Sequence, residues 1–197
     1  MFKVLGNSMP VFKPLFTWTL FGWMMSKIYA FISYNRRVII PTAPGTSKNE
    51  FQPSFRLEYR LLYLVFTWIV TAFILNKFSA LITDLVQPGE WYREYFICGG
   101  QILFQAVVIL LLNPQKVWEY LGNMMTISLA GALLLVPLLI INSFVSITPV
   151  ANAVYFIVVA GLMFAEHIRR VKLIELSAAL SITWALYRLL ILALLTG

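Results

Sequence analysis

The stretch GNMMTISLAGALLLVPLLIINSF, residues 122–144, decides the class of fold. It contains no charged residue, and it is longer than the roughly 20 apolar residues that cross a bilayer as a helix. Pro137 lies inside it, and a proline inside a helix loosens or kinks the helix. We expect a transmembrane helix over residues 119–144.

The rest of the chain has the same character. Of its 197 residues, 60% are hydrophobic and 12% are charged, whereas a soluble domain carries about 25% charged residues. The mean hydropathy is +0.83. This composition excludes a soluble globular enzyme, a disordered tail and a disulfide-stapled secreted domain. It predicts an all-α integral membrane protein.

Five apolar segments predict a transmembrane domain over residues 56–197. The predicted spans are 61–82, 95–113, 119–144, 150–166 and 173–196. Residues 1–55 form an N-terminal segment that ends in a polar linker. Within it, residues 15–34 are rich in Trp and Tyr, which favours an interfacial amphipathic helix. A sixth span over the same residues is the alternative.

Basic residues concentrate on one side of the predicted spans. Loop 83–94 is mainly acidic and loop 145–149 is uncharged, whereas residues 1–55, 114–118 and 167–172 carry the cations. Because Lys and Arg mark cytoplasmic loops, we expect the N-terminus in the cytoplasm and the C-terminus outside. The net charge of +7 is explained by this asymmetry. We therefore expect membrane lipids and other membrane protein subunits as partners, and no nucleic acid.

A few polar side chains fall inside the predicted spans, where burying a charge is expensive. Arg188 is the strongest candidate, and it either reaches the outer headgroups, which we favour, or pairs across helices. Gln101 and Gln105 are four residues apart and share one helix face. Interhelical hydrogen bonding is their ordinary role, and a polar substrate path is the alternative. Asn142 could supply an acceptor to Arg188.

The cytoplasmic side carries a second set of candidates, a basic interface formed by Arg36, Arg37, Arg169 and Arg170. The single histidine, His167, lies beside two of these arginines and is expected to be an interfacial residue. No nucleophile–base pair, carboxylate pair or metal-ligand spacing can be named. We predict no catalytic, cofactor-binding or metal-binding residue, and whether the protein is an enzyme stays open.

The N-terminal segment carries a family resemblance. Tyr29, Ile32, Asn35 and Arg36 follow a Tyr-x-x-Ile-x-x-Asn-Arg pattern, and the residues before them read Met9-Pro10 and Phe12-Lys13-Pro14-Leu15. This segment resembles the closing helix of DCC-type thiol–disulfide oxidoreductase-like proteins. The stretch from Phe55 to Phe66 is similar to the membrane segment that follows in some bacterial members.

The resemblance implies a thioredoxin-like domain with an Asp-x-x-Cys-x-x-Cys motif, and a protein of the bacterial inner (cytoplasmic) membrane. This sequence lacks the motif, and its one cysteine, Cys98, is expected to be a small buried hydrophobe. We expect either a short relative without the redox domain or a true start upstream of Met1. In both cases these residues alone carry no dithiol chemistry.

Three functions remain open. The first is a membrane-anchoring module of a DCC-like thiol–disulfide oxidoreductase-type protein, without redox chemistry in this chain. The second, close to it, is an accessory or structural subunit of a larger membrane complex. The third, which ranks below both, is a small transporter or lipid-handling protein that uses the intramembrane polar residues.

Overall fold

A computed structural model describes residues 18–41, 55–87 and 89–196. Within these ranges the protein is 83% helical and has no strand, which confirms the predicted all-α class. The six α-helices are α1 (Thr19–Ile39), α2 (Leu57–Ser79), α3 (Arg93–Leu112), α4 (Val117–Phe144), α5 (Pro149–Leu173) and α6 (Ala179–Thr196). A 3₁₀ turn, Pro114–Lys116, precedes α4. Met9 to Leu15 and most of the predicted linker lie outside the described residues.

Four helical segments are long and apolar enough to cross a membrane. They are Leu57–Ser79, Arg93–Leu112, Pro114–Phe144 and Pro149–Leu173. This confirms an integral membrane protein by length and composition. The apolar part of α6, Ala179–Leu194, is shorter. At 1.5 Å per residue it spans roughly 24 Å against a hydrocarbon core of about 30 Å. That α6 crosses the bilayer and that α1 lies at its surface both stay predictions.

Helix α4 is the centre of the bundle, because it packs against α1, α2, α3 and α5, whereas α6 packs against α3 and α5. Small residues on α4 allow close packing, as is usual between membrane helices. At Gly131 the sulfur of Met163, on α5, occupies the space that a β-carbon would need. Helix α4 also continues as one α-helix through Pro137, and the kink expected there does not end it.

Helix α5 is longer than its predicted span, 150–166, and α6 begins at Ala179 rather than at residue 173. The drop in hydropathy at Glu166 therefore marks a change of surroundings and not the end of the helix. Instead, α5 ends in a Schellman motif, in which Leu176 N–H bonds to Val171 O and Glu175 N–H bonds to Lys172 O. Glu175, in this turn, has a left-handed φ of 55°, so the predicted start of the fifth span at residue 173 is wrong.

Candidate functional site

A chain of buried polar side chains links four helices near the predicted cytoplasmic end of the bundle. The Tyr120 hydroxyl donates to Gln105 Oε1 at 2.8 Å and lies 3.3 Å from His167 Nε2. On the other side of the imidazole, Nδ1 lies 3.0 Å from the Ser181 hydroxyl. Gln105 Nε2 donates to Thr183 Oγ1 at 3.3 Å. We call these five residues the polar chain; it joins α3, α4, α5 and α6.

The hydrogens of the polar chain can be assigned so that each of its five residues donates one hydrogen bond. Ser181 donates to Nδ1 of a neutral His167, whose Nε2–H donates to the Tyr120 oxygen. Tyr120 donates to Gln105, whose amide donates to Thr183, and the Thr183 hydroxyl reaches Leu180 O at 3.2 Å. These bonds matter because an unpaired polar group in an apolar interior is costly. The polar chain therefore fixes how the four helices meet.

His167 is buried inside the bundle, so the expectation that it is an interfacial residue is wrong. Its side chain is only 1% exposed, and its ring stacks on Trp184 with the centroids 5.2 Å apart. The reason is that α5 continues past His167, which places this residue on the face toward α4 and α6.

The second polar cluster fastens the C-terminal end of α1 to the bundle, and Arg170 is its centre. Arg170 Nη1 donates to Val38 O at 2.7 Å and to Asn123 Oδ1 at 3.2 Å. Nη2 donates to Ile39 O at 3.3 Å, and Nε donates to Glu166 Oε1 at 2.8 Å. The last carbonyls of a helix lack intrahelical partners and attract a cation. Arg170 thus caps α1 from a different helix.

Two further polar contacts hold the same end of α1. Asn35 is fully buried, and its Nδ2 donates to Phe31 O at 2.9 Å and to Tyr59 O, on α2, at 3.0 Å. The Thr126 hydroxyl, on α4, lies 3.0 Å from Val38 O. Asn35 is part of the Tyr-x-x-Ile-x-x-Asn-Arg pattern, whose Tyr29 is exposed. The buried asparagine of this pattern therefore serves the junction with the bundle.

The four intramembrane candidates do not converge on one another. Gln105 belongs to the polar chain, and Gln101 Nε2 donates to Trp184 O at 3.2 Å. Asn142 forms a reciprocal amide pair with Asn152, with distances of 3.0 and 3.3 Å. Each of these three thus bonds to a neighbouring helix. Asn142 pairs with α5 and not with Arg188, the partner considered for it.

Arg188 is half-buried and lies near the Cys98 thiol of α3. Its two expected fates, reaching the outer headgroups or pairing across helices, both stay predictions. Cys98 itself is buried, as its apolar surroundings predicted.

We expect Arg188→Leu to change the free energy of unfolding by less than about 1 kcal/mol, because a thiol is a weak acceptor and leucine suits lipid. Thermal unfolding of the purified protein in detergent would measure this. A loss of 3 kcal/mol or so would reveal a stronger partner than the thiol.

The predicted basic interface separates into exposed and buried members. Arg36 and Arg37 lie exposed on α1, and Arg37 pairs with Glu119 at 3.3 Å. Arg169 is also exposed and pairs with Glu166 at 2.6 Å. Arg170 is the exception, since it is buried. It contributes to packing between helices, so it offers no open surface to a partner.

The described residues contain no group of three or more His, Cys, Asp or Glu that could hold a metal ion. No family model, curated protein or solved structure matches this chain. Its helices and buried polar contacts define an all-α integral membrane protein.

Proposed function

We propose that this chain is the membrane-anchoring module of a DCC-like thiol–disulfide oxidoreductase-type protein in a bacterial inner membrane. The observation that carries the proposal is the junction of α1 with the bundle. The end of α1 bears the family-like pattern, and Asn35, Thr126 and Arg170 hold it there through buried contacts. The module itself supplies no dithiol.

The junction of α1 with the bundle is suited to an anchor because it is rigid. A helix attached to the membrane only through a flexible linker would leave any attached domain free to rotate. Here the capping of Val38 O and Ile39 O fixes both the position and the direction in which α1 leaves the bundle. A domain or partner carried by α1 would therefore be presented in one orientation at the cytoplasmic surface.

An accessory or structural subunit is the second candidate. It is favoured by the way Gln101, Gln105 and Asn142 bond between helices, because this use of polar groups stiffens a bundle. The same contacts weaken the case for a transporter or lipid-handling protein. A substrate path would need those groups to face a common cavity.

The anchoring proposal requires a particular topology, with residues 167–172 in the cytoplasm. In a Cys98→Ala background, Ser146→Cys should react with a membrane-impermeant maleimide on intact cells, whereas Lys172→Cys should react only after permeabilisation. Both positions are exposed, so differences in burial cannot produce this result. The reverse labelling pattern would place α1 outside the cytoplasm and rule out the proposed arrangement.

The function itself is tested by asking whether a dithiol accompanies the chain. The protein would be tagged at its C-terminus at its native locus, purified in mild detergent, reduced and labelled with a thiol reagent. A Cys98→Ala version removes its only cysteine. A reactive cysteine pair in the purified Cys98→Ala material, on the same polypeptide or on a bound protein, supports the anchor. Stoichiometric subunits without such a pair would favour the accessory role.

A further inference from the structure

Arg60, at the start of α2, is a buried cation without an acceptor for most of its donors. Its side chain is 5% exposed, and among the described residues neither Nε nor Nη1 has a hydrogen-bond partner. Arginine stays protonated in proteins, so it cannot relieve the burial by losing its charge. A buried charge is expected to be paired.

The surroundings of Arg60 do not supply that acceptor. The guanidinium lies over Phe55, 5.8 Å from the ring centroid, and against the bare backbone of Gly122 on α4. Glu119 is the carboxylate that acts on Arg60, but it forms its ion pair with Arg37. Of the other carboxylates at this end of the bundle, Glu166 is bound by Arg169 and Arg170, and Glu175 pairs with Lys116. Glu58, two residues before Arg60, is exposed on a different side of α2.

The local field is also unfavourable for an unpaired cation. Arg60 is in the first turn of α2, where the helix dipole is positive and favours an anion. Arg56 lies four residues earlier, on the same side of the helix, and Arg37 acts on Arg60 as a like charge. Glu58 is the one acidic residue in this turn, so positive charge stays in excess around Arg60, and an anion from outside the chain would balance it.

We propose that Arg60, with Arg56 and Arg37, binds a phosphate-bearing anion, namely the headgroup of an anionic membrane lipid. The predicted orientation places the start of α2 at the cytoplasmic surface, where anionic headgroups are available. Basic sites between membrane helices on this side are suited to such headgroups. The site is independent of the anchoring function proposed above, since it requires only the bundle and α1.

The test compares wild-type protein with Arg60→Met after delipidation in a neutral detergent. Without added lipid, Arg60→Met should unfold at the same temperature as wild type or higher, because it removes an unpaired buried charge. With phosphatidylglycerol the order should reverse, since only wild type gains from the headgroup. Native mass spectrometry should show the variant binding phosphatidylglycerol about tenfold more weakly, the loss expected for charge-assisted hydrogen bonds.

Two kinds of control are needed. One distinguishes a specific site from a general effect of positive charge, and the other distinguishes a lipid headgroup from free phosphate. Lys172→Met removes one exposed cation at the same end of the bundle, and its phosphatidylglycerol affinity should match wild type. Phosphatidylcholine should bind more weakly than phosphatidylglycerol. Inorganic phosphate is a separate arm; if it stabilises wild type fully and phosphatidylglycerol adds nothing, the site takes a soluble phosphate.

Equal binding of phosphatidylglycerol and phosphatidylcholine by wild type would overturn the proposal, as would unchanged phosphatidylglycerol affinity in Arg60→Met. If Arg60→Met does not accumulate, Arg60→Lys provides the second variant. It retains the charge but not the planar fork, and it should keep the preference for phosphatidylglycerol over phosphatidylcholine.

Discussion

Arg170→Met is expected to lower the free energy of unfolding by about 3 kcal/mol and to release the end of α1. The change removes the donors to Val38 O, Ile39 O and Asn123 Oδ1. Breaking a buried network by removing one partner is strongly destabilising, because the other partners stay buried without it. Amide hydrogen exchange over residues 35–40 should rise severalfold even under conditions where the bundle stays folded.

The adjacent arginine is a matched control for this prediction. Arg169→Met makes the same chemical change one residue away, but Arg169 is exposed and its bonds go to Glu166 alone. Exposed ion pairs contribute about 0–1 kcal/mol, so this variant should behave nearly as wild type. If both variants cost the same and exchange at α1 does not change, Arg170 does not hold the junction.

The membrane helices could be predicted from the sequence because the bilayer imposes a simple requirement. A spanning segment has to be apolar over its whole length, and residues 122–144 meet this condition without reference to any other part of the chain. The ends of α5 and α6 could not be predicted in this way. Hydropathy reports where lipid ends, whereas α5 continues to Leu173 through charged residues that pair along the helix.

The polar contacts could be predicted only in part. The spacing of Gln101 and Gln105 placed both on one helix face, and both do bond to α6. Their partners Trp184 and Thr183 come from a distant part of the sequence, so no local pattern indicates them. Arg188 was expected to matter most because it is charged and apparently deep in a span. Arg170 makes more hydrogen bonds than Arg188, because the C-terminal end of α1 packs against the part of α5 that contains Arg170.

Tyr120→Phe carries the second large expected effect, a loss of about 2 kcal/mol. The substitution keeps the ring and its packing but removes one hydroxyl from the centre of the polar chain. Gln105 Oε1 then loses its 2.8 Å donor, and the Nε2–H of His167 loses its acceptor. Both residues are fully buried, and water cannot easily replace the missing partner. Unfolding in detergent, by heat or by added denaturant, would measure the loss.

Tyr155→Phe is the matched control, because the Tyr155 hydroxyl makes an exposed bond to Leu134 O at 2.7 Å. Its loss should cost well under the roughly 2 kcal/mol expected at Tyr120, since Leu134 O lies inside the continuous helix α4 and keeps its intrahelical donor when the hydroxyl is removed.

A double-mutant cycle gives the decisive comparison. The double variant, Gln105→Leu with Tyr120→Phe, removes the Gln105 amide oxygen and the Tyr120 hydroxyl together. Neither group is then left buried without its partner. The free energy of unfolding should therefore fall by less than the sum of the two single losses. Additive losses would mean that Gln105 and Tyr120 stabilise the protein independently. The polar chain would then be a set of separate contacts, and it would not act as one unit that joins α3, α4, α5 and α6.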